Sequence, residues 1–66
     1  MTGVVERMLA GKGFGFIRGS DGNVYFVHAT ENDQEEFLKL RSDMKVTFTG
    51  FPTPKGLRAR DVHVVA

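Results

Sequence analysis

Turn-forming residues divide this chain into short segments, and their spacing limits the folds that it can adopt. Glycines flank Lys12, a Gly-Ser-Asp-Gly-Asn stretch covers residues 19–23, and two prolines and a glycine lie within residues 52–56. The segments between these turns are rich in β-branched and aromatic residues, as strands are. They cover residues 4–9, 14–18, 24–28, 44–51 and 57–65. The pattern predicts five short strands, with a hairpin at residues 21–23.

The length of the chain and its lack of cysteine restrict how these strands can be stabilised. With 66 residues and no cysteine, it forms neither disulfides nor thiolate zinc sites, and only about 60% of its unfolded surface is buried on folding. We therefore expect one domain over residues 1–66. Closing the strands into a small five-stranded antiparallel barrel removes the exposed edges of an open sheet. The side chains expected in the core are Val5, Ile17, Val27, Val46, Phe48 and Val62.

Residues 31–41 do not have a strand pattern. Asn32 is followed three residues later by Glu35, which is the spacing of a capping box, and acidic residues fill the first turn. The segment predicts a short helix or helical turn, capped by Asn32, in the loop that crosses from the third strand to the fourth.

The aromatic residues of the second and third strands follow a period of two. If Ile17, Tyr25 and Val27 point into the barrel, the rings on the alternate positions share its outer surface. Those outward side chains are Phe14, Phe16, Phe26 and His28, with Lys12 beside them. The alternative places the phenylalanines in the core. Gly13 and Gly15 then lie on the solvent-exposed face, which is less suitable because glycine fits the crowded inner side of a barrel. Adjacent exposed rings are typical of a binding surface, and single-stranded bases stack on such rings.

Charge is distributed unevenly along the chain. Residues 31–43 hold five acidic and two basic side chains, a net charge of −3, whereas the remainder carries +4 and the whole chain +1. A local basic surface attracts polyanions.

Two motifs of this chain resemble those of the bacterial cold-shock proteins. Residues 12–17 (Lys-Gly-Phe-Gly-Phe-Ile) are similar to the first ribonucleoprotein motif and residues 25–28 (Tyr-Phe-Val-His) to the second, in the order and spacing of that family. The resemblance extends from about Thr2 to Val65. It implies a barrel of the oligonucleotide-binding (OB) type that binds single-stranded RNA or DNA and melts weak RNA structure. The positions that match the family's binding residues are Lys12, Phe14, Phe16, Phe26 and His28, with Phe37 as a further stacking ring in the crossover loop.

The chain departs from that family in the first strand and after the histidine. Where Lys-Trp-Phe-Asn is usual, it has Glu6-Arg7-Met8-Leu9, and Ala29 replaces an aromatic residue. Arg7 is expected to stack its guanidinium plane on a base, and Met8 to offer a softer apolar contact. We therefore expect a smaller stacking platform whose affinity depends more on charge.

Basic residues of the last strand complete the expected binding surface. Arg58 and Arg60 share a strand face and are expected to approach the backbone of a bound strand. Lys55, just before them, is equally consistent with an ordinary surface charge. Phe37 lies next to Leu38 and close to Leu40, so it is equally consistent with an anchor that holds the crossover loop to the core.

The sequence lacks the parts of an enzyme or a metal site. It has no cysteine nucleophile, no Gly-x-Ser-x-Gly elbow and only two histidines. It also lacks an apolar run of about 20 residues and a signal-peptide pattern. We expect a cytoplasmic, monomeric RNA-chaperone-like protein that binds single-stranded RNA or DNA without a cofactor, a metal, a small-molecule substrate or a membrane. The alternative is a barrel that has lost strong nucleic-acid affinity and serves as a protein-interaction module.

Overall fold

The computed structural model describes residues 1–65 and contains five strands, one helix and two short 3-10 turns. The strands are β1 (Thr2–Leu9), β2 (Phe14–Gly19), β3 (Val24–His28), β4 (Lys45–Thr53) and β5 (Gly56–Val64). The 3-10 turns cover Ala10–Lys12 and Ala29–Glu31, and helix α1 covers Gln34–Lys39. Within residues 1–65, no helix is long and apolar enough to span a membrane. The five predicted strands are confirmed, with ends that differ by up to two residues.

The strands close into a barrel in the order β1-β2-β3-β5-β4. Four neighbouring pairs are antiparallel, but β3 and β5 are parallel, with Phe26 opposite Arg58 and Val27 opposite Ala59. The predicted five-stranded antiparallel barrel is confirmed, with β3 and β5 as its one parallel junction. An odd number of strands cannot alternate in direction around a closed ring, so one neighbouring pair has to be parallel.

The barrel interior contains the side chains that the period-two pattern placed there. Ile17, Tyr25 and Val27 are between 0% and 4% exposed, and the other predicted core residues are buried with them. The remaining members of the core are Phe37, Leu40 and Ala59. Gly15 also faces inward, where a Cβ atom would lie 2.7 Å from the carbonyl oxygen of Arg7. This close approach explains why glycine occurs between the outward rings of Phe14 and Phe16.

A β-bulge in β1 decides which of its side chains reach the outer surface. Val5 pairs with Ile17 but Arg7 pairs with Phe16, so Glu6 is the extra residue. As a result Glu6 and Arg7 are both exposed, whereas Met8 turns inward and packs against the core. The outward Glu6 carboxylate accepts a hydrogen bond from Nε of Arg18 at 2.9 Å.

The crossover segment is held in place by Asn32, but not in the predicted manner. Helix α1 is capped one residue later, by Asp33, whose carboxylate accepts from the backbone N–H of Glu36. Asn32 instead donates to the carbonyl oxygen of His28 at 2.8 Å and accepts from the N–H of Val62 at 3.1 Å. The side chain of Asn32 is therefore used to tie the loop to β5, and the capping role passes to the next residue.

The turn between β2 and β3 is organised by the carboxylate of Asp21. It accepts from the backbone and side-chain N–H groups of Asn23 and from the hydroxyl of Tyr25. The hydrogen bond from Tyr25, followed by that from Asn23, holds the pKa of Asp21 below its usual range, and the same bond raises the pKa of Tyr25. The turn thus connects a surface carboxylate to the buried ring at the end of the barrel.

This contact predicts an acid-sensitive contribution to stability. Because the pKa of Asp21 is lowered on folding, its stabilisation is fully present above the unfolded value of about 4 and is lost as pH falls through the lower folded value. Asp21→Asn should therefore lose less stability on acidification than the parent, as measured by urea unfolding at pH values from about 6 to 2. The control is Asp61→Asn, which removes another exposed carboxylate and leaves Asp21 and its hydrogen bonds in place. An acid profile of Asp21→Asn that parallels the parent's contradicts the assignment.

A second prediction separates inward from outward side chains. Val27→Ala leaves a gap in the core and should lower the free energy of unfolding by about 1.5–3 kcal/mol. Phe16 is half-buried on the outer surface, so Phe16→Ala should cost less, about 1 kcal/mol from lost ring contacts. Urea unfolding followed by circular dichroism measures both. If Phe16→Ala proves the more damaging change, the two faces of β2 are assigned the wrong way round.

Candidate nucleic-acid interface

Three phenylalanine rings and a histidine ring lie together on the outer surface of β2 and β3. Phe16 pairs directly with Phe26, and Phe14 with His28. The ring centroids are 6.0 Å apart for Phe14 and Phe16, 5.4 Å for Phe14 and Phe26, and 5.8 Å for Phe16 and Phe26. All four residues are half-buried, so each supports its neighbours and still presents surface to solvent. We call these four residues the aromatic cluster.

The ring of His28 is oriented by its own loop. Its Nδ1 atom accepts a hydrogen bond from the backbone N–H of Thr30 at 3.1 Å and lies 2.8 Å from the Thr30 hydroxyl. The ring centroid is 5.9 Å from that of Phe26. With Nδ1 accepting, a neutral imidazole carries its proton on Nε2, which leaves that atom as a donor.

Strand β1 extends the cluster on one side, with a different set of residues from the predicted one. Arg7 lies opposite Phe16 and is exposed. Met8 packs inward, so its predicted place on the binding face is wrong; the bulge at Glu6 is the cause. Leu9 takes the outward position opposite Phe14 instead. A bulge leaves no clear mark in a single sequence, and strict alternation cannot find Leu9.

Strand β5 extends the cluster on the other side through Arg58. Its guanidinium carbon lies 5.0 Å from the ring centroid of Phe26, a cation–π contact. Its Nη1 atom also donates to the carboxylate of Glu31 at 2.6 Å, and both side chains are about 70% buried. Arg58 is thus held over the ring by a partner whose negative charge offsets part of its own.

A groove of about 300 Å³ lies where the cluster meets the β4–β5 hairpin. Its lining residues are Phe16, Phe26, Lys55, Leu57 and Arg58. The groove combines two aromatic walls with two cationic side chains, which suits a base together with its phosphate. Leu57 is a lining residue that the sequence analysis did not select, and Lys55, which it left open, also borders the groove.

The remaining predicted residues fall in different places. Lys12 is exposed at the end of the turn that precedes Phe14, and Arg60 is exposed on β5 with its guanidinium carbon 5.2 Å from the ring centroid of Phe51. Phe37 is only 3% exposed, so its predicted role as an exposed stacking ring is corrected and the core-anchor alternative is confirmed. Helix α1 turns Phe37 inward while Leu38 stays exposed. Ala29 adds no ring to the surface and packs against the core.

Comparison with known proteins gives a consistent match over the chain. The profile of the 'Cold-shock' DNA-binding domain matches residues 1–65. Cold shock protein 1 of Lactiplantibacillus plantarum is 40% identical over 61 residues, covering 92% of both chains. Cold shock-like protein CspG of Escherichia coli K12 is 41% identical over 63 residues, covering 94% of this chain and 90% of the relative.

A third relative, major cold shock protein CspA of Pseudomonas aeruginosa, is 40% identical over 64 residues, with 97% of this chain and 93% of the relative covered. The match thus includes all five strands and the crossover loop, and it agrees with the closed barrel. The chain belongs to the cold-shock domain family.

Proposed function

We propose that this protein binds single-stranded RNA or DNA by stacking bases on the aromatic cluster while neighbouring basic side chains hold the phosphates. The observation that carries the proposal is the contact of Phe14, Phe16 and Phe26 on the outer surface, with centroids 5.4–6.0 Å apart. Each ring in such a cluster offers a face or an edge to a base, and stacking contributes about 1–3 kcal/mol per base. A duplex hides its base faces, so the rings select unpaired strands.

The charges around the cluster complement a phosphate backbone. Arg7 and Lys12 lie on the β1 side, and Arg58 and Arg60 lie on the β5 side. Within residues 1–65, Arg58 forms an ion pair with Glu31, whereas Arg7, Lys12 and Arg60 form none. Arg7, Lys12 and Arg60 are therefore available to a phosphate without displacing a carboxylate.

An RNA-chaperone-like activity follows from selective binding. A protein that binds only the unpaired form of an RNA shifts the pairing equilibrium towards that form, by an amount set by the protein concentration and the affinity. Such an effect needs neither a cofactor nor a hydrolysed nucleotide. Because Arg7 and Ala29 provide no aromatic ring, the affinity is expected to be moderate and to melt only weak structure.

Binding should be confined to single strands and should depend on Phe16. With a labelled oligonucleotide of about 16 residues, the parent should bind the single strand and leave the matched duplex largely free. Phe16→Ala should weaken single-strand binding by about 1–3 kcal/mol, measured by fluorescence anisotropy. The control is Leu38→Ala, which removes an exposed apolar side chain from α1 and should bind as the parent does.

The salt dependence of the same titration tests the electrostatic part of the proposal. Three or four phosphate contacts give a slope of roughly −2 to −3 for log K against log salt on single strands.

Equal or tighter binding to the duplex contradicts the stacking mechanism. A folded parent without measurable affinity even at low salt rejects the nucleic-acid function in favour of a protein-interaction module.

A further inference from the structure

A phenylalanine outside the aromatic cluster lies on the outer surface of the β4–β5 hairpin. Phe51 is half-buried in β4, and Gly50 beside it faces inward, where a Cβ atom would lie 3.1 Å or less from ring atoms of the buried Tyr25. Phe51 therefore points away from the core, of which it is not a member. Neither the resemblance nor the predicted site includes Phe51.

The strand register connects Phe51 to the aromatic cluster through one arginine. Arg58 lies opposite Phe26 on β3 and opposite Phe51 on β4. On the β2 side of the same row, Phe26 lies opposite Phe16, and Phe16 opposite Arg7. One row of outward residues thus crosses all five strands: Arg7, Phe16, Phe26, Arg58 and Phe51. Two strand spacings place Phe51 roughly 10 Å beyond Phe26.

A cationic side chain lies beside the Phe51 ring. The guanidinium carbon of Arg60 lies 5.2 Å from the Phe51 ring centroid, and Arg60 has no ion-pair partner in the described part of the chain. An aromatic face beside an uncompensated guanidinium matches the two recognition features of a nucleotide, its base and its phosphate. An acidic peptide satisfies the arginine but leaves the ring unused, so a nucleotide is the better complement.

We propose that Phe51 and Arg60 form an additional nucleotide subsite, which extends the path of a bound single strand from the aromatic cluster, past Arg58, onto the β4–β5 hairpin. This inference rests on the proposed function and deepens it. The subsite adds an aromatic ring beyond β5, on β4, to a binding surface that has no aromatic ring at positions 7 and 29. It engages only strands long enough to pass Arg58.

The test is a length series with Phe51→Ala. Oligothymidines of about 4 and about 8 nucleotides are titrated against the parent, Phe51→Ala and Phe16→Ala. Phe51→Ala should weaken binding of the longer oligonucleotide roughly 5- to 150-fold and leave the shorter one unchanged. Phe16→Ala should weaken both. Phe51→Tyr, which keeps an aromatic face, should retain the parent's affinity, and circular dichroism confirms that each variant is folded.

A charge variant tests the same subsite independently. Arg60→Gln should reduce the salt slope for the longer oligonucleotide by about 0.7, the value for one phosphate contact, whereas Lys45→Gln, at the other end of the barrel, should not. Parent-like binding of Phe51→Ala at both lengths overturns the subsite, and so does an equal loss at both lengths. If the parent binds neither oligonucleotide, the proposed function fails as well.

Discussion

The interior of a five-stranded barrel is narrow, and its limited volume decides which side chains remain outside. Ile17, Tyr25 and Val27 occupy the inward positions of β2 and β3 and are almost completely buried. Since side chains alternate along a strand, the residues between them face solvent whatever their hydrophobicity. Three phenylalanines are thereby held on the outer surface, against the tendency of large apolar side chains to be buried. The exposure of these rings is therefore a consequence of how the core is packed.

Basic side chains lie beside the exposed rings on the same surface. Arg7 lies opposite Phe16 and Arg58 opposite Phe26, so cations flank the rings on both neighbouring strands. The Glu31 carboxylate restrains Arg58 over the ring of Phe26 and offsets part of its charge. A bound phosphate has to compete with Glu31 for this arginine. In the proposed binding mode, stacking gives the preference for unpaired strands and charge gives much of the attraction.

Features that depend on local chemistry could be predicted from the sequence, whereas those that depend on register could not. The strands, the core residues and the outward direction of Phe14, Phe16 and Phe26 follow from turn residues and period-two alternation. The bulge at Glu6 exchanges the roles of Met8 and Leu9, because one extra residue reverses the alternation beyond it. The prediction that Asn32 caps the helix was wrong. Its side chain forms hydrogen bonds instead with the carbonyl oxygen of His28 and with the N–H of Val62, 30 residues away. The outward direction of Phe51 could have been predicted from the sequence. Val46, Phe48 and Gly50 occupy alternate, inward positions of β4, and Phe51 follows Gly50 on the opposite face.

The binding surface can be located by intermolecular nuclear Overhauser effects in a complex with an oligothymidine of about 8 nucleotides. We expect contacts between thymine or sugar protons and the ring protons of Phe14, Phe16 and Phe26. The core resonances of Val27 and Ile17 should show none. A second groove, of about 460 Å³, lies near Val4, Lys45 and Val65 at the other end of the barrel. Contacts confined to that groove, with the three phenylalanine rings unaffected, would contradict the assignment of the aromatic cluster as the binding surface.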